Sequence, residues 1–260
     1  MPSTELRELR QRSEYREIGT FSIYYYGFNV KKAPLNNQMV RKAISYAIDR
    51  KEITQMLDGG QIPLTSWVPP GIFGYEPDRG VDFNVSKAKK MLDKAGYKDR
   101  SKFPKIEIGF NTNEDHKRVA ENIQAQLKRN LGINVELKNE EWKVYLKSLQ
   151  TDPPHIFRMG WLADYPDPDN FLNLMTSYSE NNHTRWGSQE FDKLIAKAVG
   201  LGSKGRRQQV YSKAQKILTE QEVPVVPIYS SVTHALISSR VVNFPFNSMQ
   251  KYIFKKVSLK

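Results

Sequence analysis

At 260 residues, with 39% hydrophobic and 26% charged side chains, the chain has material for a sizeable core and for one large domain or one and a half ordinary ones. It has no cysteine, which excludes disulfides, thiolate metal sites and cysteine nucleophiles; its longest apolar runs, such as Val223 to Tyr229, are strand-length and contain prolines, far from the ~18 residues of a membrane span. The net charge of +12 raises anionic partners, but Lys and Arg sit beside Glu and Asp along the helices, as in residues 114–118, and no nucleic-acid-binding motif accompanies them, so no nucleic acid is expected.

Met1 to Arg7 contains no apolar signal core, so an export signal is expected only outside this chain. Residues 5–13 read as a short exposed helix or a linker. Thr20 to Phe28 is aromatic and β-prone, hence a strand. Val40, Ala43, Ile44, Ala47 and Ile48 recur at helical spacing, and Asp49 with Glu52 is a capping-box pattern that opens a second helix. Residues 58–83, rich in Gly and Pro, predict a long ordered loop. Ala88, Met91, Leu92 and Ala95 mark a helix stopped by Gly96.

The following stretch alternates. Lys105 to Phe110 is a strand; Val119, Ile123, Leu127 and Leu131 line a helix ending at Gly132; Ile133 to Leu137 is a strand; Trp142 to Leu149 is a helix; Ile156 to Trp161 is a strand. This connectivity predicts an α/β lobe with a mixed, largely parallel sheet and flanking helices. Asp164 to Asn170 is an acidic, proline-broken loop. Two helical stripes follow, at Phe191 to Val199 and Val210 to Leu218, then two strand-like runs, Val225 to Tyr229 and Val232 to Ser238, and a basic tail.

No catalytic constellation is present. The four histidines, His116, His155, His183 and His234, are scattered, and phosphate-loop, dinucleotide and nucleophile-elbow motifs are absent. Asp164, Asp167 and Asp169 do not make a calcium loop: the required glycine is missing, and Met175 stands where a bidentate Glu is needed. Neither a cofactor nor a metal is expected.

Four segments together resemble the family 5 extracellular solute-binding proteins of the oligopeptide- and dipeptide-binding group: Asn36 to Arg50 with its Val-Arg-x-Ala and Ala-x-Asp-Arg elements; Ala88 to Tyr97, ending Ala-Gly-Tyr; Leu131 to Leu137 followed by Trp142; and Gly160 to Pro168, containing Ala-Asp-Tyr. The resemblance covers roughly residues 15–240 and corresponds to the second half of a full-length member. It implies a type II-like periplasmic binding-protein lobe plus strands returning to an N-terminal lobe that is not in this chain. The expected organisation is a helix or linker over 1–19, a hinge-proximal strand over 20–35, the C-terminal lobe over 36–222, and crossing strands with a basic tail over 223–260.

The implied function is capture of short peptides between two hinged lobes for an ABC importer, not catalysis, by a periplasmic or membrane-anchored extracytoplasmic monomer that meets membrane permease subunits. Other solutes (a nickel chelate, haem or an oligosaccharide) and a ligand-sensing domain of a transcription regulator are the alternatives. By resemblance, Asp164 receives the peptide α-ammonium, Trp161 and Tyr165 wall the site beside it, Arg158 lies near the backbone or C-terminus, and His116 lies near the carboxylate. Tyr25, Tyr26 and Asn29, on the first strand, face the cleft. Where relatives carry further cations, Leu57 to Ile62 carries none.

Overall fold

The computed structural model describes residues 5–260; residues 1–4 of the expected N-terminal helix or linker lie outside the described residues. In chain order the elements are α1 (Leu6–Leu9), β1 (Tyr15–Gly19), β2 (Ser22–Phe28), α2 (Gln38–Ala47), α3 (Arg50–Leu57), β3 (Ile62–Pro63), α4 (Val85–Lys94), β4 (Ile106–Asn111), α5 (Glu114–Leu131), β5 (Val135–Glu140), α6 (Trp142–Thr151), β6 (Ile156–Leu162), α7 (Asp169–Leu172), α8 (Gln189–Val199), α9 (Lys204–Lys216), β7 (Val225–Ser230), β8 (Val232–Leu236), β9 (Val241–Val242) and β10 (Ser258–Leu259). β1 is an element the composition does not announce.

Local chemistry explains most helix boundaries. Asn37, Asn84, Asn113, Ser188 and Ser203 each accept a first-turn amide of the helix they open. Asp49 caps α3 through the amides of Lys51 and Glu52, but the other half of the expected capping box is replaced: the Asp49 amide donates to Gln126, and Glu52 pairs with Arg129 at 2.6 Å. Gly132, at φ +73°, ends α5 as expected. Beyond α9 the helix continues through one π-helical turn, Ile217–Gln221.

Six strands form one mixed sheet in the order β3-β7-β2-β6-β4-β5. Its parallel part is confined to β5-β4-β6, the strands that α5 and α6 join by crossovers. The pairings of β2 with β6, β2 with β7 and β3 with β7 are antiparallel. β2 therefore lies in the middle of the sheet, and all of its residues are buried. The two runs read after residue 223 part company: β7 enters the sheet, whereas β8 pairs with β1 in a separate two-stranded ribbon, Tyr15 opposite Leu236 and Gly19 opposite Val232.

The alternation of β2 divides two cores. Tyr24, Tyr26 and Phe28 join the cluster under α2 to α5; Ile23 and Tyr25 join the one under α7, α8 and α9 with Trp67, Phe171, Phe191 and Tyr211. The arginines of the family-like segment act as clamps. Arg41, buried, donates to the carbonyls of Leu35, Glu222 and Val223; Arg50, also buried, donates to those of Ile48 and Pro227. Each ties a helix of one layer to the chain around β7, and each satisfies carbonyls that would otherwise be buried without a donor. Gln215 does the same for the long loop, accepting from Ser66 and Val68 and donating to Gly74.

Candidate functional site

The parallel strands β4, β5 and β6 end together at one edge of the sheet, the edge at which open α/β folds collect their ligand-contacting groups. β6 is the central contributor. In its register with β2, Trp161 opposes Ile23, Gly160 opposes Tyr24 and Arg158 opposes Tyr26. Trp161 and Arg158 therefore leave opposite faces of the same strand.

On the first face, the buried Asn170 at α7 organises the end of β6. Its Oδ1 accepts from the Trp161 indole at 2.9 Å and from the Asp164 backbone amide at 3.0 Å. Trp161 is half-buried. Asp164 is exposed, and among the described residues its carboxylate has no ion pair; its backbone carbonyl accepts from Lys251. The neighbouring carboxylates are engaged, since Asp167 is held by Arg207 at 2.8 Å and Asp169 accepts from the Tyr165 hydroxyl at 3.0 Å. Burial and the hydrogen bond to Asp169 push the Tyr165 phenol up, the partner on Asn170 acting the other way.

On the second face the Arg158 guanidinium lies 4.5 Å above the Tyr24 ring and donates to Asn111 Oδ1 at 3.3 Å; its buried Nε has no hydrogen-bond partner among the described residues. Tyr24 stacks on Tyr229 with ring centroids 4.5 Å apart. Gly160 makes room for this, because a Cβ there would sit 3.2 Å from the Ile23 carbonyl oxygen and 3.3 Å from Arg158 Nη2. His116, in the first turn of α5, meets Tyr24 with Nδ1 3.4 Å from the hydroxyl. Burial, reinforced by the Arg158 charge, lowers the His116 pKa from 6.5 to about 3, so the ring is neutral near pH 7. A carboxylate on one face and a cation with a neutral imidazole on the other provide two poles, suited to a zwitterionic ligand.

The expected residues are thus not all brought together. Asp164, Trp161, Tyr165, Arg158 and His116 gather at this edge. Tyr26 is buried behind Tyr24 on the Arg158 face, and Tyr25 points to the other core against Trp67, at 4.8 Å between centroids. Asn29 lies beyond the opposite end of β2, where its buried side chain donates to Pro153 and accepts from Lys31. Sequence reasoning passed over Tyr24, Tyr229, Asn111 and Asn170. The period of two along β2 could have separated Tyr24 from Tyr25, but nothing local ties Tyr229 or Asn170 to this edge. Trp142, exposed at the start of α6 just past the end of β5, is a further aromatic there.

A concavity of about 490 Å³ lies elsewhere, between Asp49, Arg50, Leu64, Asp78 and Phe83, and none of the expected site residues lines it. Among the described residues no group of three or more His, Cys, Asp or Glu could hold a metal ion, and no helix is long and apolar enough to cross a membrane.

A mixed α/β layer with charged and aromatic groups collected at one sheet edge defines a lobe of the periplasmic binding-protein type, type II-like. The chain belongs to the bacterial extracellular solute-binding proteins, family 5 Middle, whose model matches residues 2–183. It is 36% identical over 238 residues to the oligopeptide-binding protein OppA of Bacillus subtilis, covering 88% of this chain and 44% of that protein. The crystal structure of the periplasmic oligopeptide-binding protein OppAIV from Borrelia burgdorferi superposes with a TM-score of 0.90 at 32% identity, over 100% of this chain and 53% of that one. That of Haemophilus influenzae OppA in complex with the peptide RPPGFSPFR gives 0.87 at 30% identity, over 100% and 53%. The chain thus spans about half the length of the relatives it matches.

Proposed function

We propose that this chain supplies one wall of a peptide-binding cleft in the substrate-binding component of an ABC importer, acting outside the cytoplasm as a monomer that delivers short peptides to membrane permease subunits. It binds and releases its ligand without chemistry on it. Asp164 receives the peptide α-ammonium, with Trp161 and Tyr165 beside it; Arg158, with its unpaired Nε, and neutral His116 face the backbone or the carboxylate; Trp142 adds an aromatic surface. Residues 36–222 make up the lobe, and the β1–β8 ribbon serves as the crossing to a second lobe.

The observation that carries this reading is the state of Asp164: an exposed carboxylate at a strand end, its backbone fixed by Asn170, with Asp167 beside it paired to Arg207, Asp169 hydrogen-bonded by Tyr165, and itself without an ion pair among the described residues. A fixed, unpaired carboxylate is a ready counter-charge for a group carried by every peptide with a free N-terminus, and its attraction strengthens when closure excludes water. Capture of peptides by relatives such as Haemophilus influenzae OppA supports the ligand class.

Because one wall leaves much of a peptide in water, the chain alone should bind at roughly millimolar strength, about −4 kcal/mol. NMR titration of the labelled chain with a tripeptide tests the reading. Amides of residues 158–165 should shift with the free peptide and much less with its N-acetylated form or in Asp164→Asn. Equal shifts with both peptides, or shifts centred elsewhere, would refute it.

A further inference from the structure

α4 and the loop behind it form a lysine face that ligand binding does not use. Between residues 85 and 105 the chain carries eight Lys or Arg against two Asp. Ala88 and Leu92 turn inward, against the helices α2 and α5 rather than the sheet, so α4 is an outer layer. Lys89, Lys90, Lys94, Lys98 and Lys102 are exposed, and among the described residues none has a carboxylate within 4 Å. Both aspartates are taken locally: Asp93 by Arg100 at 2.7 Å, Asp99 by the amide and hydroxyl of Ser101. Lys90 and Lys94 stand one turn apart, a like-charge arrangement that costs helix stability and that a bound anionic surface would relieve.

We propose that this face docks on an anionic lipid surface. The cations are lysines, flexible point charges suited to a diffuse layer of headgroups, rather than guanidinium forks suited to paired phosphate contacts. No exposed aromatic interleaves them: Tyr97 and Phe103 stack on each other, half-buried, so a stacking platform for nucleic-acid bases is missing. The loop holding Lys98 and Lys102 leads into the N-terminal end of β4, the sheet edge opposite the one where Asp164 and His116 gather. A bilayer on this face therefore leaves the ligand edge open.

The test is co-sedimentation of the chain with phosphatidylcholine vesicles and with vesicles holding about 30% phosphatidylglycerol, at low and high salt, with duplex DNA as a competing polyanion. The chain should partition to the anionic vesicles only, and lose them in high salt. K89Q/K90Q/K94Q should lower the partition coefficient about a hundredfold, whereas K89R/K90R/K94R should retain it. K193Q/K197Q/K216Q, an equal charge change on α8 and α9, should leave it within about twofold. Equal loss in both glutamine triples would reduce the effect to net charge and overturn the proposal. So would binding to neutral vesicles, loss in the arginine triple, or displacement by DNA at equal phosphate.

Discussion

Asn170→Ala offers the sharpest check on how the site is held. One buried oxygen accepts two hydrogen bonds, from the Trp161 indole at 2.9 Å and from the Asp164 amide at 3.0 Å. Truncation leaves both donors without that partner in a half-closed environment. At about 1–3 kcal/mol for each buried donor left unmade, discounted because Trp161 and Asp164 retain some access to water, the loss should be about 2–3 kcal/mol. Urea denaturation at pH 7 measures it. The double-mutant cycle with Trp161→Phe isolates the indole bond and should return a coupling of about 1 kcal/mol. In the folded variant the Asp164 amide should exchange faster with solvent. A loss below about 0.5 kcal/mol with no coupling would mean that Asn170 does not position this loop.

Other consequences follow from the same geometry. His116 has a folded pKa lowered from 6.5 to about 3, so its stabilising effect is complete above pH 6.5 and is lost as the unfolded state gains a proton at lower pH. Between pH 7 and 5, before most carboxylates titrate, His116→Gln should flatten the fall in urea stability by about 1–2 kcal/mol, a figure reduced for partial solvent access; an unchanged pH slope would contradict the assignment. Arg158→Gln removes the charge that reinforces burial, so the His116 pKa should rise yet stay below 6.5, because burial is the larger cause; an NMR titration reads it directly. Gln215→Leu strands the Val68 amide and the Gly74 carbonyl, and should cost about 2–4 kcal/mol and open residues 58–83 to proteolysis; an uncut loop would refute the pinning role.

What the sequence determined by itself is what physics makes local. The capped start at Asp49, the stop at Gly132 and the β4-α5-β5-α6-β6 run each depend on side chains within a few residues or on a periodic apolar stripe. The Ala-Asp-Tyr element was readable for the same reason, and it directly follows β6 at the sheet edge where Arg158 and His116 also lie. Two features stayed ambiguous. The strand over Tyr24 to Tyr26 was legible, but which tyrosine faces which core depends on its partners. The capping box at Asp49 was half right because Gln126 and Arg129, on another helix, compete for its groups.

Only the tertiary structure decided the rest, because those interactions join residues that no local pattern connects. Strand β1 exists by pairing with β8, more than two hundred positions away, since a ribbon needs both edges at once. Asn29, read as facing the site, is consumed by its own turn and Pro153 at the far end of the strand. Arg41 becomes a clamp only when the chain at Glu222 and Val223, just before β7, presents its carbonyls, and Arg50 only when Pro227 of β7 does; Tyr229 meets Tyr24 and the Arg158 that covers it only because antiparallel pairing brings the last sheet strand beside the first. Long-range contacts have no signature in a short window of sequence. They follow from which surfaces can be buried together, and that is settled when the whole chain packs.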